Sequence, residues 1–250
     1  MADTTAGRGH SDRGSPVARL DRNVKRAALQ ASPLFAAMET AELDEILGFA
    51  TERRVRRGQM IFQRGDNGSS MMAVLRGRVR ISSVSGDGKE VTLNVISPGE
   101  IFGEIALLDG EPRSADATAI EETQLLVVER RQFLPFLRRN EGLFLRLLAV
   151  LCRRLRRTSM ALEDIALFDL PVRLGRVLLK LAEDYGRPGA DGTRIDLKLS
   201  QRDLSNLVAS SRESVNKQLR LWREQGLVDL EDGFVVLRRP VALRDLTSSR

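Results

Sequence analysis

The chain has 250 residues, 42% of them hydrophobic, and carries 40 Lys and Arg against 34 Asp and Glu, for a formal net charge of +6. That length suits two modest domains with their own cores, the excess of cations is compatible with a polyanionic partner such as DNA, and no apolar run reaches the ~20 residues that span a bilayer. A single cysteine, Cys152, and a single histidine, His10, leave no parts for a cysteine-held zinc or iron–sulfur centre or a multi-histidine metal site, and they argue against a Ser-His-Asp triad, so no catalytic or metal site and no cofactor is expected.

Residues 1–30 are rich in Gly, Ser, Arg and Asp and read as a mobile tail, with at most a first helical turn near its end. The tail lacks the apolar stretch of a secretory signal, and a cytoplasmic protein is the expectation. "METAELDEILGFA" predicts a short helix capped by Thr40, with Leu43, Ile46 and Leu47 on one face. From Val55 to Glu129 the texture is β-prone. "QMIFQRG", "SMMAVLRGRVRISSV", "EVTLNVI" and "TQLLVVE" are separated by the turn signals "GDNG", "SGDG", "SPGE" and "DGEP". This spacing predicts an antiparallel sandwich or barrel, with a hairpin whose tip is Asp87-Gly88. Inside it, "FGEIALLDGEPRSADATA" (Phe102–Ala119) holds two charges, Glu104 and Arg113, in a setting of small and apolar residues. Lone buried charges are costly, so the two either pair with each other or hold something else.

From Leu143 to Phe168 the period turns helical. Leu148, Leu151, Leu155, Thr158, Leu162 and Ile165 follow at spacings of 3, 4, 3, 4 and 3, a heptad seam that packs either on its own domain or on a second copy. Arg153, Arg154, Arg156 and Arg157 flank it and read as a solvated face. Thr158 puts a hydroxyl where Leu would pack better. It either touches something polar across the seam or bonds a carbonyl one turn back. Ser159 follows it, ~100° further round the helix.

After "FDLP" the pattern is helices and then a hairpin. "RLGRVLLKLAEDYG" is an amphipathic helix stopped by Gly186 and Pro188. "LSQRDLSNLVASSRESVNKQLRLWREQG" contains two capping-box patterns, Ser200 with Asp203 and Ser210 with Glu213, which predict two short helices joined by a tight turn. Leu204, Leu207 and Val208 face inward from the first, Val215, Leu219 and Trp222 from the second, and Gly226 ends it. "LVDLEDGFVVL" alternates about Asp232-Gly233 as a small hairpin does. Helix, turn, helix and hairpin describe a winged helix-turn-helix. Its second helix would present Ser211, Arg212, Glu213, Asn216 and Lys217 to base edges, where Arg can grip guanine and Glu can accept from cytosine.

On these residues the sequence resembles the CRP/FNR family of bacterial transcription regulators, over roughly residues 34–240. "FGEIALLDGEPRSADATA" resembles the family's phosphate-binding cassette, "RRLRRTSMALEDIALFD" the dimerisation helix and hinge of its cAMP-responsive members, and "LSQRDLSNLVASSRESVNKQLR" its helix-turn-helix. The resemblance implies an α+β protein in four parts: a disordered tail (1–30), a cyclic nucleotide-binding jelly roll (31–140), a dimerisation helix and hinge (141–169) and a winged helix-turn-helix domain (170–250). It implies that Glu104 accepts from a ribose hydroxyl, that Arg113 pairs with a cyclic phosphate, that Gly103 lets the backbone come close and that Ser114 bonds a phosphate oxygen. Ile105, Ala106 and Ala115 complete the cassette's part of the site. Thr158 and Ser159 would meet the base, one hydroxyl from each subunit, and ligand binding would re-aim the DNA-binding domains about Phe168 and Asp169. Arg212, Glu213 and Lys217 match the family's base-reading positions, with Ser200 and Gln201 at the start of the first helix. Many members have Arg where this chain has Lys217, and Lys lacks the bidentate fork.

The implied ligand is cAMP, with cGMP as the alternative. The implied partners are a palindromic DNA operator, a second copy of the chain and RNA polymerase. The rival signals within the family, an iron–sulfur cluster or a haem, lack their usual Cys and His ligands. A DNA binder that needs no ligand, and a cyclic-nucleotide-binding subunit acting on a protein partner, are further alternatives; the C-terminal helix-turn-helix argues against the second.

Overall fold

The computed structural model describes residues 21–189 and 191–248. Most of the tail expected over 1–30 lies outside the described residues. Its last part differs from the single turn expected there, since residues Arg22–Gln30 form helix α1, with Asp21 accepting from the Arg22 N–H at its start. What fixes this helix is tertiary. Leu29 is buried in the core, and Arg26 holds Asp44 of the next helix with bonds of 2.6 and 2.8 Å. That next helix, α2 (Thr40–Phe49), is capped by Glu39 and not by Thr40. Glu39 takes the extended backbone of a cap, and its N–H donates to Glu42 Oε2 at 2.9 Å. Thr40 is instead the first helical residue.

The β-prone region forms two four-stranded antiparallel sheets. One has the order β1 (Thr51–Val55), β8 (Thr123–Glu129), β3 (Ser70–Arg76), β6 (Ile101–Phe102). The other has the order β2 (Met60–Phe62), β7 (Asp116–Ala119), β4 (Val79–Val84), β5 (Glu90–Ile96). Val55, Val74, Phe102 and Leu125 of the first sheet meet Ile61, Val79 and Ala117 of the second to fill the space between. The first sheet's outer face carries Met71, Ala73, Leu126 and Val128. These pack under Leu29, Leu43 and Ile46 and under Phe133, Phe136 and Leu143 of α4 (Arg130–Arg138) and α5 (Glu141–Leu167). "TQLLVVE" is apolar at successive positions because both of its faces are covered, as a strand buried on both sides requires. Between β6 and β7 lies the short helix α3 (Glu104–Asp109).

The first half of α5 packs on its own domain, with Leu143 and Leu147 buried. Beyond it the heptad seam leaves the domain, and Leu155 and Leu162 are 68% and 67% exposed. Packing of that stretch on its own domain, one of the two readings of the periodicity, is therefore not what the chain does.

The C-terminal unit is α6 (Leu170–Tyr185), β9 (Gly186–Gly189), β10 (Gly192–Ile195), α7 (Gln201–Leu207), α8 (Arg212–Glu224), β11 (Val228–Glu231), β12 (Phe234–Leu237) and α9 (Pro240–Ser248). Leu174, Leu178, Leu204, Val215, Leu219, Trp222, Val235 and Leu243 make its core. The hairpin about Asp232 and Gly233 is present, with both residues at positive φ as a two-residue turn of this kind needs. It does not stand alone: β9 and β10 extend it to a sheet of order β11-β12-β10-β9.

Candidate ligand and nucleic-acid sites

Glu104 and Arg113 are both buried, at 1% and 5% exposure, and they do not pair with each other. The Glu104 carboxylate is held by Arg154 of α5, whose other guanidinium nitrogen donates to the Ile101 carbonyl. Arg154 thus leaves the solvated face assigned to it from spacing. Its stem crosses from the helix to the cassette, and its charge offsets a carboxylate that burial would otherwise disfavour. Arg113 donates to the Gly103 carbonyl at 2.8 Å and to Ser70 Oγ at 3.2 Å, and its guanidinium lies over the Phe62 ring at 4.3 Å. Burial pulls its pKa below the usual guanidinium value, while Asp66, Glu104 and Glu129 act in the other direction. Its Nε is buried and has no partner among the described residues.

Two glycines make room for this guanidinium. Gly103 caps α3 at φ 76°, and a Cβ there would stand 2.6 Å from Arg113 Nη1. A Cβ on Gly68 would stand 2.3 Å from the Ala106 Cβ and 3.2 Å from Arg113. Of the other predicted cassette residues, Ala106 and Ala115 are buried, and Ile105 and Ser114 are exposed beside them. Sequence reasoning missed Arg154, Ser70, Phe62 and Gly68. For Gly68 the signal was present in "GDNG" but was read only as a turn. For Arg154 there was none, because four arginines in a row of five positions look alike until the helix is docked.

Thr158 lies one turn beyond Arg154 on α5, and its hydroxyl donates to the Arg154 carbonyl at 3.1 Å. This is the local bond that was one of its two readings. Thr158 and Ser159 are both exposed, on the stretch of helix where the seam residues are exposed. The predicted hinge is the break between two helices. Phe168 ends α5 and Asp169 begins α6, both with extended backbone. Arg176 of α6 stacks on Phe168 at 4.0 Å and pairs with Asp164 of α5 across the break.

In the C-terminal unit Ser200 and Asp203 form the expected capping box, with the Ser200 N–H donating to Asp203 at 2.8 Å and the Asp203 N–H to Ser200 Oγ at 3.1 Å. The second cap falls one residue later than expected. Ser211, not Ser210, accepts from the Ser214 N–H at 3.1 Å, and Ser210 belongs to the turn that Ala209 makes at φ 49°. The cap therefore leaves Arg212 and Glu213 in the first turn of α8, and both are exposed together with Lys217, Ser200, Gln201 and Ser211. Asn216 departs from this face: it is half-buried and its buried Oδ1 has no partner among the described residues.

A buried cassette on a β-roll, a long helix with an exposed apolar seam and a winged helix-turn-helix define a ligand-binding domain coupled to a DNA-binding one. Residues 52–140 match the cyclic nucleotide-binding domain family and residues 172–246 the Crp-like helix-turn-helix domain family. The chain is 34% identical over 218 residues to the cyclic AMP receptor protein of Thermus thermophilus, covering 87% of this chain and 98% of that one. It is 32% identical over 189 residues to the global nitrogen regulator of Synechocystis sp., covering 75% of this chain and 84% of the relative. The solved structure of CLP, the c-di-GMP responsive global regulator of Xanthomonas campestris, superposes with a TM-score of 0.72 over 80% of this chain and 100% of that chain, at 23% identity, a likeness of fold. The chain belongs to the CRP/FNR family of transcription regulators, whose members named here are regulators and not enzymes. Among the described residues no helix is long and apolar enough to cross a membrane.

Proposed function

We propose that this transcription regulator is switched by a cyclic nucleotide, cAMP in the first place, and binds a palindromic DNA site as a homodimer in the cytoplasm. The observation that carries the reading is the position of Arg154. It ties the cassette carboxylate to α5 one turn before Thr158, so whatever occupies the cassette also acts on the helix that bears the exposed seam. Arg113, with a buried donor to spare, suits one anionic phosphate. Glu104 suits a ribose hydroxyl once Arg154 shares or releases it. Thr158 and Ser159 are available to a base lying between two copies of α5, and Gly103, Ile105, Ala106, Ser114 and Ala115 shape the cassette around the sugar and phosphate.

Two copies of α5 joined along Leu148, Leu155, Leu162 and Ile165 would remove that apolar stripe from water. They would also set two copies of α8 for half-sites ~34 Å apart. Arg212, Glu213 and Lys217 would read bases and Ser200 and Gln201 would meet the backbone. Ligand contacts made in only one of two dimer arrangements would shift the population towards it by movement at Phe168 and Asp169. The reading includes RNA polymerase as a partner. The names of the relatives support cAMP and leave a second effector in play, since one of them is a nitrogen regulator.

The test is fluorescence anisotropy of a palindromic duplex selected by the protein from random sequence, titrated at fixed salt without nucleotide, with cAMP and with cGMP. Tightening by cAMP that is lost in Arg113→Ala is the expected result. Tightening by cGMP alone would change the ligand, and equal affinity in all three conditions would remove the nucleotide switch.

A further inference from the structure

Besides the hinge, the C-terminal unit touches the β-roll at a second place, on the outer face of β4 and β5. Arg80 of β4 pairs with Asp203 of α7 at 3.1 Å and with Glu90 of β5 at 3.0 Å. Glu90 accepts from Asn206 Nδ2 of α7 at 2.9 Å and lies 4.0 Å from the Arg202 guanidinium. Nearby, Tyr185 at the end of α6 meets Ser97 with 3.0 Å between the hydroxyl oxygens, and Arg78 lies over its ring and donates to the Asp196 carbonyl. The helix-turn-helix is therefore moored by its first helix, through a network of charges and amides.

We infer that this face of β4 and β5 is a reversible dock for α7, with Arg80 and Glu90 as its positioning residues, and that docking restrains the domain against operator binding. The inference rests on the DNA-binding reading above. Three features carry it. The contacts of α7 are polar and their charged groups partly exposed, with Ile120 of the roll as an added apolar contact to the C-terminal core, a joint that binding energy of modest size can break. The network is imperfectly satisfied, with Arg80 Nε and Thr92 Oγ1 on the same strands buried and without partners among the described residues. The docked helix is also the one that must cross the phosphate backbone in a helix-turn-helix.

Docking sets Glu90 within reach of Arg202, a cation two-thirds exposed and one residue from Gln201, so a carboxylate holds a side chain that a phosphate would otherwise take. Asp203 is used twice. One oxygen caps Ser200 and the other takes Arg80, which ties the start of α7 to the sheet. The other face of β4 carries Val79 and Ile81, which pack in the cluster that contains Phe62 and Phe102. One strand thus has the dock on one side and, on the other, the apolar cluster that reaches the Phe62 ring under Arg113.

The test uses the full chain with Arg80→Ala and Glu90→Ala together, residues outside both the cassette and the recognition helix. Spin labels at Arg57→Cys and Glu224→Cys in a Cys152→Ser background, diluted into unlabelled chains, report the distance between the units. The expected result is a broadened distance distribution and an affinity for the selected duplex without nucleotide at least about fivefold higher, with the nucleotide-saturated affinity nearly unchanged. Glu90→Gln, which keeps a bond to Asn206 but not the pull on Arg202, should fall between. An unchanged distribution would overturn the dock. A broadened one with equal or weaker nucleotide-free affinity would overturn the restraint. If the unsubstituted protein bound no duplex under any condition, the DNA-binding reading would fail and the restraint with it, while the distances would still decide the dock.

Discussion

The cassette and the recognition helix carry charges of the same kinds under opposite conditions. Glu104 and Arg113 are buried, so each is held by the chain itself: the carboxylate by Arg154, the guanidinium by a carbonyl, a hydroxyl and an aromatic face. Arg212, Glu213 and Lys217 stand in water on α8 and need no partner to be stable there. The physical reason is desolvation, which makes an unpaired charge expensive inside and nearly free outside. On the proposed reading, substitutions of the cassette charges should disturb folding and ligand affinity together, whereas those of the exposed charges Arg212, Glu213 and Lys217 should disturb recognition alone.

The largest effect should come from breaking the cassette's own pair. Arg154→Ala leaves Glu104 buried without its cation and should lower stability by about 3 kcal/mol. Urea unfolding would show this, and a double variant with Glu104→Gln should recover much of the loss. Next, Arg113→Ala should weaken cyclic nucleotide binding ~100-fold in calorimetric titration, since the proposed site would lose the cation that faces the phosphate. A loss in that variant no larger than that of a surface arginine would remove Arg113 from the site.

On the other side of the comparison, Arg212→Ala should cost about 2 kcal/mol of operator affinity and relax selectivity at one base of each half-site. Its unfolding midpoint and nucleotide affinity should match those of the unsubstituted protein. The smallest effect separates two adjacent serines. Ser211→Ala removes the cap of α8 and should destabilise the C-terminal unit by about 1 kcal/mol, while Ser210→Ala should stay within a few tenths. Equal effects in thermal unfolding would return the cap to the earlier serine.

The parts whose signal is local were readable along the chain. Alternation and turn residues placed β2, β3, β4, β5 and β8 of the roll but not β1, β6 and β7, spacing placed α5 and the two helices α7 and α8, and Asp232-Gly233 placed the hairpin. The motif residues Glu104 and Arg113 stood out as candidates because charges are rare in such apolar company, and both are buried. The partners came from the packing of distant segments. Asp44 and the core made α1 a helix where composition indicated a tail. Docking of α5 turned one of four similar arginines towards Glu104. The positive φ at Ala209 moved the cap of α8 from Ser210 to Ser211, and the fold of α7 onto β5 joined Glu90 to Asn206, 116 positions apart in the chain. Propensity and periodicity are properties of neighbouring residues. The partner of a buried charge is set by which distant segment arrives beside it, and a linear pattern carries no record of that arrival.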